Sequence, residues 1–509
     1  MNESAACHGV VRLARRRFTS LVDCANSPGK EKEAVGASGW ATVDVLSASD
    51  RRRKQPWETS MKHEAKARII KRIRIRIGDM PECLGRFAML VGEHRGRFGQ
   101  ITTVQLGKKA KIRDVDIHTP DEASFDRLCD AIRKMDGIDL LATQDVVLEM
   151  HRKGKIEVTS RVPVESIDDL SIVYTPGVAS VCNKIHEKPE LALEYTSIPN
   201  NVAIVTNGTA ILGLGDIGPV AGMPVMEGKA LLFRVLADIN GYPILIDSKD
   251  PEVIIQTVRA IAPTFGAIKL EDIRAPECFE IEERLDAALD IPVMHDDQHG
   301  TAVVVLAALL NIAASTYINL KRSAVGIVGL GAAGSGIFRL LRAYGVEQVY
   351  GADINEVMTS RFESFGGIPE SLEGVMAKSK IVIATTGVPG LIKPEMVQPQ
   401  QVVLALSNPD PEIDPDEAVQ AGAVFAMDGK SVNNAMAFPG LFKGALQARA
   451  TKINDAMRIA AAKKIAEFAT ETELIPNILD KRVHEAVAQA VEKAAFKTGV
   501  TRVLDSVEF

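Results

Sequence analysis

Apolar and basic residues alternate through RIIKRIRIRI near residue 70, the period-two pattern of a strand with one buried face. CLGRFAMLVGEHRG changes to helical spacing, IRDVDIHTP returns to a strand, and DEASFDRLCDAIRKM opens a second helix after Pro120 with acids in its first turn. IDLLATQDVVLEMH closes the stretch as a strand. The order βαββαβ predicts a small ferredoxin-like α+β domain over residues 65–150. Further on, TAVVVLAALLNIAAS (301–315) is shorter than a bilayer crossing and carries Asn311, so it reads as a helix buried inside a protein. SAVGIVGLGAAGSGIFRLLRAYGVEQVYGADIN (323–355) predicts a strand, a glycine turn, a helix and a second strand ending at Asp353. KIVIATTG and QVVLALSNP add strands that run into polar loops, and DAMRIAAAKKIAEFAT is one of the helices near the end of the chain.

Within that second pattern, Gly329, Gly331 and Gly334 make the GxGxxG spacing, with Ala332 and Ala333 between the last two glycines. The first glycine permits a tight turn, the second lets backbone approach a pyrophosphate, and the third allows close helix packing. The helix N-terminus then attracts the phosphates. Asp353 stands where an acid accepts hydrogen bonds from a ribose diol and repels a 2'-phosphate, so NAD is expected, with NADP as the alternative. Asn408, and Asn433 and Asn434 in NNAMAFPG, are candidates for contacts to the nicotinamide ribose or to a substrate carboxylate.

The middle of the chain is rich in acids. GAIKLEDIRAPECFEIEERL places Glu271 and Asp272 after a strand-like run, and IPVMHDDQHG repeats the arrangement with Asp296 and Asp297. Carboxylate pairs at two strand ends can converge on one sheet edge, and oxygen ligation suits a hard cation, Mg or Mn. His295 and His299 argue for zinc, but a substrate bringing its own oxygens fits the carboxylates better.

Composition narrows the classes. With 509 residues, 46% of them hydrophobic, the chain has the length of a multidomain globular protein. A net charge of −6 gives no reason to invoke nucleic acid or an anionic membrane. Six scattered cysteines without a CxxC pair fit a reducing, cytoplasmic setting. Residues 1–64 hold both tryptophans and two RRR clusters, show little apolar periodicity and are expected to be a disordered extension, with Met61 an alternative start.

YTPGVA, NGTAILGLGDIGPVAGMPVMEGKALLF, LEDIRAPECFEIEERL, HDDQHGTA and NNAMAFPG occur in the order and spacing of malic enzymes, and the chain resembles their short bacterial form over about residues 160–470. The resemblance implies oxidative decarboxylation of (S)-malate to pyruvate and CO2 with NAD, by a homodimer or homotetramer. It implies Tyr174 as general acid, Lys229 as general base, Glu271, Asp272 and Asp297 as metal ligands and Asp296 beside them orienting or balancing charge. It also implies Lys229, Asn408 and Asn434 as substrate or nicotinamide contacts. A lysine takes the malate hydroxyl proton only when burial or a nearby cation lowers its pKa, and the apolar neighbours of Lys229 suit that. Two positions depart from the family: Ala210 stands where the large eukaryotic enzymes carry a carboxylate-gripping arginine, and Asn207 where bacterial relatives usually have Asp. MPECLGRFAML is similar to the start of an ACT domain, which implies a small effector bound in the front domain, although Pro81-Glu82 replaces the usual Pro-Gly.

The expected architecture is therefore α/β: a malate and metal domain over 151–300 and a Rossmann-type NAD-binding domain with C-terminal helices over 301–509, preceded by the ACT-like α+β domain. The competing readings are an oxaloacetate decarboxylase without net redox and a ligand sensor with a decayed enzyme site.

Overall fold

The computed structural model describes residues 69–211, 213–470 and 473–502, and these form two compact units that divide near residue 141. The extension expected over residues 1–64 lies outside the described residues.

In the first unit the elements run β1 (Ile69–Gly78), α1 (Pro81–Glu93), β2 (Arg97–Leu106), β3 (Ala110–Thr119), α2 (Glu122–Arg133) and β4 (Ile138–Asp145). Sheet order is β2-β3-β1-β4, the split βαββαβ arrangement. Period-two patterning works as the sequence implies: Ile73, Ile75 and Ile77 are buried with Phe87, Leu128 and Ile132, while Arg74 and Arg76 face outward. On that outer face Arg72 and Arg74 pair across the strands with Asp116 and Asp114, each at 2.7 Å. The last strand is shorter than expected. Asp145 accepts a hydrogen bond from the Leu148 amide at 2.9 Å and so caps a helical turn, α3 (Val146–His151), where the sequence pattern implied continued strand.

The second unit holds two parallel sheets. After helices α4 (Ile167–Val173) and α5 (Val178–Glu187), β5 (Asn201–Thr206), α6 (Pro219–Ala237), β6 (Asn240–Leu245), α7 (Pro251–Ile261), β7 (Ala267–Leu270), α8 (Glu277–Ala288) and β8 (Val293–His295) give a sheet of order β6-β5-β7-β8. Strands β5, β7 and β8 are buried along their whole length, hence their largely apolar sequences, interrupted by Lys269 in β7 and His295 in β8. α9 (Asp296–Thr316) follows at once. By length and composition it is the one helix among the described residues apolar enough to cross a membrane, but 61% of its most apolar window is buried inside the protein.

β9 (Val325–Val328), α10 (Ala332–Tyr344), β10 (Val349–Ala352), α11 (Glu356–Ser364), β11 (Ile368–Pro369), α12 (Leu372–Lys378), β12 (Ile381–Ala384), β13 (Val402–Ala405), α13 (Pro415–Gln420) and β14 (Phe425–Asp428) form the six-stranded sheet. Its order, β11-β10-β9-β12-β13-β14, is the doubly wound dinucleotide-binding topology. α14 (Phe438–Gln447), α15 (Asp455–Glu467) and α16 (Lys481–Thr498) finish the described chain, and buried residues of α9, α10 and α14–α16 belong to one core with both sheets. Helices α9 and α10 meet closely because Gly336 has no side chain: a Cβ there would lie 2.1 Å from the Gln298 carbonyl oxygen.

Candidate active site

Strands β7 and β8 are neighbours, so the residues just beyond them share one sheet edge. Glu271 and Asp272 follow β7, while Asp296 and Asp297 open α9 directly after β8. Carboxylate oxygens of Glu271, Asp272 and Asp297 lie within 4.8 Å of one another. Asp272 takes a left-handed backbone conformation, φ 52°, and its amide donates to Asp297 Oδ2 at 2.9 Å, which ties the two strand ends together.

Lys229 reaches this edge from α6. Only 8% exposed, its Nζ lies 2.8 Å from Glu271 Oε1, and it donates to Asp296 Oδ2 and to Asn434 Oδ1, both at 3.0 Å. A second lysine that sequence reasoning passed over completes the centre. Lys269, inside β7 and fully buried, pairs with Glu271 and donates to Asp296 Oδ2 at 2.9 Å. The Phe438 ring sits beneath both ammonium groups, 5.1 Å from Lys229 Nζ and 4.7 Å from Lys269 Nζ. The only sequence signal for Lys269 is a charge inside the otherwise apolar run GAIKL.

Electrostatics explain why so many charges stay together out of water. Burial alone would push Asp296 up, but Lys269 and then Lys229 outweigh it and hold the carboxyl below its ordinary range. Burial brings Lys269 down to about 8. Asp272, lacking a cation of its own, is raised to about 7, by burial first and by the charge of Asp297 second. Four carboxylates face two ammonium groups, a deficit of two positive charges, and the buried Asp272 Oδ2 has no hydrogen-bond partner among the described residues. That donor set fits a hard divalent cation.

Behind the edge, fully buried Glu282 of α8 clamps the start of α9. It accepts from the His295 amide at 2.7 Å, Gln298 Nε2 at 3.1 Å and His299 Nε2 at 3.0 Å. His299 is thereby engaged away from the acidic edge, and burial holds its pKa below the usual histidine value. The loop after β5 flanks the centre. Asn207 accepts from Thr209 Oγ1 at 2.7 Å and donates to the Ser248 carbonyl at 3.1 Å, a bond that an aspartate at this position could not make.

The glycine turn lies at the carboxyl end of β9. Gly329 has φ 91°, and a Cβ on Gly334 would fall 1.9 Å from the Gly329 carbonyl oxygen. Gly331 caps α10, with Ala332 and Ala333 in its first turn. Asp353, just past β10, accepts the Leu330 amide at 2.6 Å and so braces the turn from the neighbouring strand end. A pyrophosphate fits this cradle because no Cβ fills it.

The remaining predicted residues divide. Asn434 joins the lysine centre, whereas Asn433 accepts from the Ala435 amide at 2.9 Å and serves its own turn. Asn408 is exposed, and its backbone carbonyl runs beside Gly213. Tyr174 ends the helix Ile167–Val173, is 65% exposed and makes no side-chain hydrogen bond to the centre.

Known proteins resemble this chain in sequence and in fold. Residues 153–286 match the family model for the malic enzyme N-terminal domain, and residues 414–496 match the malic enzyme NAD binding domain. NAD-dependent malic enzyme 1 of Bacillus subtilis is 52% identical over 84% of this chain and 98% of its own length. The NAD-dependent malic enzyme of Geobacillus stearothermophilus is 44% identical over 82% and 92%. Among solved structures, the malic enzyme of Pyrococcus horikoshii aligns with a TM-score of 0.66 at 41% identity, covering 70% of this chain and 92% of that one. The NAD-dependent malic enzyme of Thermotoga maritima aligns at 0.64 with 40% identity, over 68% and 98%.

Proposed function

The chain belongs to the malic enzyme family, and we propose that its two sheet edges together carry out the NAD-linked oxidative decarboxylation of malate to pyruvate and CO2. The observation that carries this reading is the carboxylate trio, two of its members buried, facing a buried lysine in one unit with a dinucleotide-binding sheet.

Glu271, Asp272 and Asp297 would hold Mg or Mn, which when bound supplies positive charge to the substrate's hydroxyl and carboxylate oxygens. The glycine turn would seat NAD, which when bound would supply the hydride acceptor for oxidation at C2. Lys229, as the neutral amine, accepts the hydroxyl proton as C2 is oxidised, and Asp296 and Asn434 hold the ammonium that results. Lys269 keeps Asp296 paired throughout. After CO2 leaves, C3 must be protonated, and Tyr174 is the proposed donor. The four described free cysteines support a cytoplasmic setting, and the assembly is proposed to be a homodimer or homotetramer. A small effector at the ACT-like unit is proposed from its βαββαβ topology.

NADH formation from malate with Mn, measured before and after chelation, tests the reading. Turnover should vanish on chelation and return with metal; turnover that survives chelation would remove the proposal.

A further inference from the structure

We propose that Glu412 is a positioning residue for the dinucleotide, holding the two loops beside the glycine turn through hydrogen bonds alone. Glu412 is fully buried, and no salt bridge reaches it from any described residue, so it is a carboxylate placed in the interior without a counter-ion. Such a group is costly unless its lone pairs are filled by donors. They are filled from both loops. Oε1 accepts the Thr386 amide at 2.7 Å, the Thr386 hydroxyl at 3.0 Å and the Ser407 hydroxyl, while Oε2 accepts the Ser407 amide at 3.3 Å.

Thr386 follows β12 and Ser407 follows β13, adjacent parallel strands, so one side chain fastens two consecutive strand ends at the edge where a doubly wound sheet holds its ligand. The tie extends further. Ser407 Oγ also accepts the Gly387 amide at 2.8 Å, and Thr385, next to Thr386, donates its hydroxyl to the Gly329 carbonyl at 3.0 Å. Glu412 is thus two hydrogen-bonded steps from the turn that cradles the pyrophosphate, and its partner Ser407 is one residue from Asn408. Backbone bonds from Gly390 to Pro411 and from Ile392 to the Glu412 carbonyl, at 3.1 and 3.0 Å, fix where its side chain begins. A core packing role would need only an apolar side chain of similar size; four donors converging on one carboxylate serve the loops they come from.

The inference rests on NAD being the cofactor, and the test separates the two. NADH binding is followed by the change in its fluorescence in metal-free protein, so that turnover is not needed. For E412Q, whose amide group must turn donors against donors, the Kd for NADH and the KM for NAD should rise by roughly tenfold. The KM for malate and the affinity for Mn should stay within about twofold. S407A, which keeps Glu412 bonded to Thr386, should show a smaller rise, and the double variant E412Q/S407A should be no worse than E412Q, because both act on one network. Should E412Q fail to fold, S407A alone decides by the same split between NADH and Mn. NADH binding unchanged in these variants, or NADH and Mn affinity falling together, overturns the inference. Failure of the parent protein to bind NADH would instead overturn the NAD-linked reading.

Discussion

Two parallel sheets in the second unit equip the same kind of edge by opposite means. The four-stranded sheet ends in Glu271, Asp272, Asp296 and Asp297 with Lys229 and Lys269 among them, a set of ionisable groups buried except for the half-exposed Asp297. The six-stranded sheet ends in glycine backbone, Thr386, Ser407 and a Glu412 whose charge is absorbed by amides and hydroxyls. Charge suits the first edge because proton transfer and loss of CO2 develop charge there. Oriented dipoles suit the second, where a ligand must bind, exchange nothing but a hydride and leave. An edge made of charges is sensitive to proton and metal concentration; an edge made of backbone is sensitive to shape.

The contrast can be broken from either side. The largest effect is expected at the charged edge. Lys229→Ala removes the proposed proton acceptor and leaves Asp296 with Lys269 alone, and kcat with malate and Mn should fall by about 10³-fold while NADH still binds, as fluorescence titration would show. Equal loss of NADH binding would mean the two edges are not separable. A smaller effect belongs to the glycine edge. Gly334→Ala puts a methyl against the Gly329 carbonyl and should raise the KM for NAD on the order of tenfold, with Mn binding by calorimetry unchanged.

The smallest effect sharpens the difference in pH response. In the metal-free protein Asp272 is raised to about 7, so a proton must leave before metal binds. Mn affinity should therefore weaken as pH falls below about 7, by up to about tenfold per pH unit, and level off above it. The sign for folding is the reverse: a raised carboxylate makes its contribution below its ordinary value and loses it as pH rises through 7, so added Mn should stabilise the protein more at pH 8 than at pH 6. NADH binding by the glycine edge should be flat over that interval.

The sequence made most of both edges readable, because their groups sit just past strand ends. Carboxylate pairs after β7 and β8 stand out against apolar runs, and the glycine spacing falls between a strand and a helix. Lys269 and Glu412 escaped for a common reason: each is buried by partners far away in the chain, Asp296 and Thr386, that no local pattern announces. β4 ends earlier than its sequence pattern implies because Asp145, a single capping side chain, outweighs the apolar character of VVLEM. Tyr174 was legible as a motif and illegible as a location, since a turn sequence says nothing about what covers it.

Gly336 has a consequence for anyone rebuilding the enzyme. Where it meets Gln298, the gap between the acid-bearing turn and the nucleotide-bearing helix is gauged by peptide against peptide, with no rotamer able to take up slack. Exchanging the whole nucleotide module for one with a different coenzyme taste would misalign hydride donor and acceptor unless the incoming helix also brings a bare α-carbon to that seam. Edits confined to Asp353 and its neighbours leave the gauge untouched.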